Sequence, residues 1–300
     1  MKTLLVGLAV AVLANCPSAS DTALKTVEEA YPYMCSGALR LAEITDLGPD
    51  TIATAENFRI TSKDLDEQIN KAPAYIRDEM RNYPVYVLED CVTDRLITLE
   101  AKEWAASSGR DPDSDSQLVR DYLDTQRPKP TVTEEEAAEF YKEHSKLYGD
   151  LPFERIRDAV IGYLADERQT QAQNQFKADA SKRHKVRVSA SWLALEYKKW
   201  AANPIEKART SGKPTFVNFS VIGCCDKTFP VVEDFRRSHA DKVNVVFVHV
   251  GQEEVLAGMY GIRTIPVQIF FDKDGKEHFR HTGFLSKEQI LAKLSEMGVH

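Results

Sequence analysis

Two cysteines stand side by side, Cys224 and Cys225, in a chain of 300 residues. Adjacent thiols can attack and resolve a disulfide, or pair as thiolates on a soft ion. They make a poor permanent bridge. A relaxed disulfide wants Cα atoms about 4.4 to 6.8 Å apart, whereas consecutive residues are held at about 3.8 Å. Closing the ring usually demands a distorted or cis peptide, at a cost of about 3 kcal/mol or more, and that strain makes the bond easy to reduce.

The elements that must position the pair are legible on both sides of it. Residues 215–221 read as an apolar strand, 223–226 as the turn out of it, and Val231, Val232 and Phe235 recur at helical spacing. A buried strand over 243–250, a short helix over 253–260 and a strand over 267–271 come next. Asp272-Lys273-Asp274-Gly275 then turns a hairpin into 277–282, and 286–297 is an amphipathic helix.

Tyr260-Gly261-Ile262-Arg263-Thr264-Ile265-Pro266, then Phe270-Phe271-Asp272-Lys273-Asp274-Gly275-Lys276 and Gly283, set in this order of elements, resemble the thioredoxin family. The resemblance implies an α/β thioredoxin fold with Pro266 as the family's cis proline. Anchored on the strand, Asn218-Phe219-Ser220-Val221-Ile222-Gly223-Cys224 lies over the family's Asp-Phe-Trp-Ala-x-Trp-Cys. Anchored on the helix, Cys225-Asp226-Lys227-Thr228-Phe229-Pro230 lies over its Cys-Lys-x-x-x-Pro. Both anchors hold only if the two residues between the family's cysteines are deleted, so Cys-x-x-Cys has become Cys-Cys.

What the resemblance implies for the site is mixed. Cys224 keeps the helix N-terminus, whose dipole favours thiolate, while Asp226 opposes it and Lys227 partly offsets Asp226. The family's buried acid becomes Asn218, its partner lysine becomes Phe247, and its tryptophan beside the site becomes Ser220, which removes the usual proton-transfer apparatus. Pro266 is kept, and with Ile265 it implies docking of a substrate strand. Two functions stay open: a thiol enzyme in which Cys224 attacks and Cys225 resolves, and a non-catalytic chaperone, adaptor or soft-metal clip.

Upstream, apolar residues at helical spacing predict a helix over 26–44, stopped by Leu47-Gly48-Pro49-Asp50. A short extended stretch leads to Thr61, which caps a helix to about residue 72. A longer helix covers 84–107, 109–116 is a polar loop, and Thr133-Glu134-Glu135-Glu136 fits a capping box. A last long helix covers 152–184 with Pro152 in its first turn, before a short strand over 186–188. Ile52-Ala53-Thr54-Ala55-Glu56-Asn57 with Ile60-Thr61 and Asp64-Leu65, the Leu88–Ala101 helix, and Val132 to Glu136 with Phe140-Tyr141 resemble the helical chaperone region of the SurA and PpiC periplasmic proteins. No parvulin domain comes after Tyr141, so the resemblance implies a helical cradle for peptide or self-association and not an isomerase.

The expected fold class is α+β overall, an all-α N-terminal domain followed by an α/β thioredoxin fold. The expected division is a signal peptide over 1–20, a helical domain over 21–190, a connector with the first thioredoxin helix over 191–213, and the thioredoxin-like domain over 214–300. Lys2 followed by the apolar run from Leu4 to Leu13 reads as a secretory signal, too short for a membrane span. Leu13-Ala14-Asn15-Cys16 leaves a lipid anchor at Cys16 open beside ordinary cleavage after Ala14 or Ser20. The expected location is therefore periplasmic or otherwise exported, with protein or peptide clients and thiol or disulfide substrates there.

A net charge of −7 from 39 basic and 46 acidic side chains, spread along the chain, offers no basic stripe and argues against nucleic acid. No glycine-rich phosphate loop, metal-ligand cluster or serine triad stands out, so no cofactor or metal is expected. His239, His249, His278 and His281 lack ligand spacing to the cysteine pair and read as surface residues. Cys35 and Cys91 are either bridged or two separate buried thiols.

Overall fold

The computed structural model describes residues 24–110, 114–222 and 228–299. Thr26 caps α1 (Val27–Ala30) through a reciprocal bond with Glu29, but the helix stops after one turn and the expected helix over 26–44 does not form. Pro32 disfavours helical backbone at Tyr31. Beyond it, the amides of Gly37 and Leu39 donate to the half-buried carboxylate of Glu89, at 2.8 and 3.1 Å, instead of to a helix. The chain then enters β1 (Glu43–Thr45), and β2 (Ala53–Ala55) pairs in a hairpin with β3 (Phe58–Ile60).

Side-chain caps set the starts of several of the helices downstream. Thr61 and Asp64 form a capping box at α2 (Ser62–Lys71), α3 is Arg77–Asn82, and Pro84 opens α4 (Pro84–Ser108), which ends where Gly109 takes a left-handed conformation. Ser114 caps α5 (Asp115–Gln126), so the expected loop over 109–116 yields to a helix at its end. Thr133 and Glu136 form the expected box at α6 (Glu134–Glu143). Then come α7 (Ser145–Tyr148), α8 (Phe153–Arg183) and β4 (Arg187–Ser189), with Pro152 as the N-cap of α8 rather than in its first turn. The region is mainly helical, with one small sheet ordered β1-β4-β2-β3 that the all-α expectation left out.

Next, α9 (Ala190–Trp200) and α10 (Pro204–Arg209) lead into β5 (Thr215–Ser220), α11 (Thr228–Ser238), β6 (Asn244–His249), α12 (Glu254–Met259), β7 (Val267–Phe271), β8 (Glu277–Thr282) and α13 (Lys287–Glu296). The sheet order is β6-β5-β7-β8, with β5 and β6 parallel and the other pairs antiparallel. Alternation along the strands sends Val217, Phe219 and Ile269 to one face and Phe216 and Phe270 to the other. The second group packs with Phe235 of α11 and Ile290 of α13.

The first face does not pack on the thioredoxin-like helices alone. Val217, Phe219 and Ile269 share one core with Leu39, Leu88, Leu193 and Trp200. Polar contacts bind the halves too: Glu79 of α3 accepts from the Leu256 amide at 2.9 Å, and the Tyr163 hydroxyl donates to the Arg280 carbonyl at 2.9 Å. The helical region is built into the thioredoxin-like part instead of hanging from it.

At the far end of the sheet, Gly275 turns the β7–β8 hairpin at φ +74°, and a Cβ there would lie 2.8 Å from the Arg209 carbonyl oxygen. Gly275→Ala is expected to lower the unfolding free energy by more than about 1 kcal/mol, because both backbone strain and a backbone clash oppose it. Urea titration of the two proteins checks this.

Candidate functional site

Cys224 and Cys225, with Asp226 and Lys227, lie outside the described residues. Their flanks are described: β5 ends at Ser220, Ile222 comes next but one and is 61% exposed, and α11 begins at Thr228. Pairing register gathers the rest of the candidate site at that same sheet end. Ser220 faces His249 at the end of β6, Phe219 faces Val267 at the start of β7, and Val267 faces Thr282 at the end of β8. The Ile265-Pro266 peptide is cis, and the Pro266 carbonyl accepts from the Gly283 amide at 2.8 Å. Ile265 and Pro266 are half-buried, while Phe284 beside Gly283 is exposed. The expected docking residues therefore stand at the sheet end where β5 finishes, four residues before Cys224 in the sequence.

Beneath α11 the covered face changes character toward this end. Phe216 gives way to Asn218 and Ser220 along β5, and Gln268 stands opposite Asn218 on β7; all three polar residues are fully buried. Gln268 Nε2 donates to Asn218 Oδ1 at 3.0 Å. That single bond leaves Asn218 Nδ2, Gln268 Oε1, Ser220 Oγ and His249 Nδ1 buried with no partner among the described atoms. Each such atom costs roughly 1 to 3 kcal/mol if it stays unsatisfied, so the four together approach the whole stability of a typical domain.

Asn218 and Ser220 stand out in the sequence as polar residues in an apolar strand. Gln268 and His249 did not, because only the register across three strands joins them to the others. The surface reading of two histidines is also corrected. His249 and His281 are half-buried at strand ends, and burial pushes the His281 imidazole down to about 4. His278 is exposed, and His239 Nδ1 sits 2.7 Å from the Ser238 hydroxyl.

Cys35 and Cys91 are free thiols. Burial raises both above the usual thiol range, Cys35 strongly, with the Glu89 carboxylate adding to it. Neither is therefore a nucleophile near neutral pH. Among the described residues no group of three or more His, Cys, Asp or Glu is placed to hold a metal ion. No helix among them is long and apolar enough to cross a membrane.

The profile of a family described as a thioredoxin-like domain matches residues 202–298. The chain is 34% identical over 94 residues to thioredoxin of Alicyclobacillus acidocaldarius subsp. acidocaldarius, covering 31% of this chain and 89% of that protein. It is also 34% identical over 94 residues to the chloroplastic thioredoxin-like protein HCF164 of Oryza sativa subsp. japonica, covering 30% of this chain and 36% of the relative. Among solved structures, chloroplastic thioredoxin z aligns at 22% identity with a TM-score of 0.28, over 31% of this chain and 85% of that one.

Proposed function

This chain belongs to the thioredoxin family, and from that premise we propose that it is an exported thiol–disulfide oxidoreductase, joined to a chaperone-like helical region and acting on periplasmic proteins through Cys224 and Cys225. The Cys224 thiolate attacks one sulfur of a client disulfide, forming a mixed disulfide and releasing the other client sulfur as thiolate. Cys225 then attacks Cys224 Sγ, frees the second client sulfur, and leaves the pair oxidised; the reverse sequence donates a disulfide.

One observation carries this reading: half-buried Ile265 and Pro266 and exposed Ile222 and Phe284 all stand at the sheet end where β5 finishes, just before the cysteines in the sequence. That end presents apolar side chains to an extended client segment. The SurA- and PpiC-like pattern over about residues 25–190 supports a holding role for the helical region. Export rests on the apolar segment over 1–20, with Cys16 as a lipid-anchor candidate, and these positions lie outside the described residues.

Turnover of insulin and of glutathione disulfide tests the proposal. Cys224→Ser is expected to lose more than about a hundredfold in rate, as removal of a nucleophile does. A wild-type protein no faster than Cys224→Ser on either substrate would sink it. The replacement of a charged pair by Asn218 and Phe247 favours a second reading, a non-catalytic adaptor whose paired thiolates clip a soft ion. Stoichiometric uptake of such an ion, lost in Cys225→Ser, together with no turnover would select it.

A further inference from the structure

The two edges of the thioredoxin-like sheet are built differently. β8 carries Glu277, His278, Arg280 and His281, its register with β7 slips between Phe270 and Phe271, and the Tyr163 hydroxyl of α8 donates to the Arg280 carbonyl at 2.9 Å. Charge, a bulge and a covering element are the devices that keep a strand edge from pairing with another chain. β6, at the opposite edge, reads Asn-Val-Val-Phe-Val-His, with no Lys, Arg, Asp, Glu or Pro, and its register with β5 is unbroken. Among the described residues it pairs with no other strand. Whereas β5 and β7 are buried along their whole length, Val245, Val246 and Phe247 are only half-buried.

Parity along β6 identifies its outward groups. The Asn244 amide donates to the Pro214 carbonyl and the Val250 amide to the Ser220 carbonyl. Even-numbered residues therefore bond inward to β5, and the amides and carbonyls of Val245 and Phe247 point outward. No described backbone group bonds to them there. The His249 carbonyl instead accepts from the amides of Gln252 and Glu253, which closes the edge at that end.

α11 extends this edge into a surface. Phe229, Glu233 and Arg236 recur at i, i+4 and i+7 and so share one flank of the helix. The Phe229 ring meets Phe247 of β6 edge-on at 5.1 Å, which sets that flank above the open strand. Arg236 Nη2 donates to Glu233 Oε2 at 2.7 Å, while the Arg236 side chain stays 62% exposed. Asp234 turns the other way, to Lys287 of α13. A flank with an acid and a base one turn apart is complementary to itself when the helix is reversed end for end.

We propose that two copies of this chain pair antiparallel through β6, joining their four-stranded sheets into one, with the α11 helices side by side and Glu233 of each facing Arg236 of the other. In the register that sets Val246 opposite itself, Val245 of each copy exchanges both N–H···O bonds with Phe247 of the other. Lys242 then falls opposite Val250 and Asp241 opposite Gly251, so no like charges meet along the strands. A six-residue edge alone buries less than the roughly 1,000 Å² that a specific interface needs, and the α11 flanks supply the remainder. A second copy fits this surface better than an arbitrary extended segment, because the strand is uncharged while the flank calls for both signs at a fixed spacing. The pairing does not depend on the thiol chemistry.

Light scattering after size exclusion of the full chain, with hydrogen exchange of the 243–250 peptide, tests this. An interface of this size belongs to the weak class. The mass is therefore expected to pass from monomer at about 1 μM to dimer at about 100 μM, and exchange at Val245 and Phe247 to slow over the same range. Arg236→Glu, a change at an exposed position, is expected to raise the dissociation constant more than about tenfold by setting like charges face to face. Glu233→Arg combined with Arg236→Glu should restore it. Val245→Lys, with circular dichroism as the check on folding, is expected to leave only monomer. A wild-type protein that stays monomeric at about 100 μM overturns the proposal, and slowed exchange of its 243–250 peptide on adding reduced, unfolded lactalbumin would assign the edge to a client strand. A dimer that Val245→Lys leaves intact is built elsewhere and overturns the strand pairing. One that Arg236→Glu leaves intact, or that the exchanged pair does not restore, overturns the α11 contact.

Discussion

Glu206→Ala is expected to destabilise the protein by about 3 to 5 kcal/mol, the usual cost of stranding one member of a buried ion pair. Glu206 and Arg209 are 3% and 8% exposed on α10. Glu206 Oε1 accepts from Arg209 Nε at 2.9 Å and from the Tyr260 hydroxyl at 2.7 Å, and its other oxygen pairs with Arg209 Nη2. Arg209 Nη1 donates to the Gly275 carbonyl at 2.8 Å, and the guanidinium lies 4.4 Å from the Tyr33 ring centre. One carboxylate thus fixes the β7–β8 turn, the end of α12 and the segment after α1.

Removing it leaves a buried cation without its counter-ion and a buried phenol without its acceptor. Urea unfolding followed by circular dichroism measures the loss. The double variant Glu206→Ala with Arg209→Met should recover part of it, because no uncompensated charge remains. A loss below about 1 kcal/mol in the single variant would mean that water reaches Arg209 and replaces the carboxylate.

How far the sequence reached depends on the range of the forces involved. The strand at Val267–Phe271, the hairpin to Glu277–Thr282 and the helices behind Thr61, Thr133 and Ser286 emerge where expected. Each is set by signals within a few residues: alternation, Asp-Lys-Asp-Gly, a hydroxyl at the N-cap. The helix expected over 26–44 failed because distant Glu89 takes the amides of Gly37 and Leu39. Likewise, α5 is held by Tyr122 bonding to Glu100, 22 residues away, which in turn binds Arg183 of α8. At the site, Asn218, Ser220, Ile265 and Pro266 were visible because a family pattern marks their positions. Gln268 and His249 were not, since a glutamine in an apolar strand and a histidine at a strand end acquire meaning only from the register that aligns them.

The contribution of His281 to stability should fall by roughly 3 kcal/mol as the solution is acidified from about pH 6.5 to about pH 4. Burial holds its imidazole at about 4 in the folded chain, against an ordinary value near 6.5. Between those values the unfolded chain binds a proton that the folded chain refuses. The contribution is therefore fully present above about pH 6.5 and lost as pH falls through 4. His144, packed 4.2 Å from the Phe140 ring and 5.2 Å from Phe279, is also held low, by burial first and then by Lys293, so it acts in the same direction. Half-buried carboxyls pushed upward by desolvation, Glu89 and Glu167 among them, act oppositely, since the folded chain then binds the extra proton. The net curve mixes these signs, but the difference between wild type and His281→Gln does not, because every other group cancels in it. Urea midpoints at pH 7 and pH 4 for both proteins give that difference. It should shrink by roughly 3 kcal/mol on acidification, since each pKa unit between the folded and unfolded values is worth about 1.36 kcal/mol. A difference that stays constant across the range would mean that His281 titrates alike in both states and that its end of β8 is open to water.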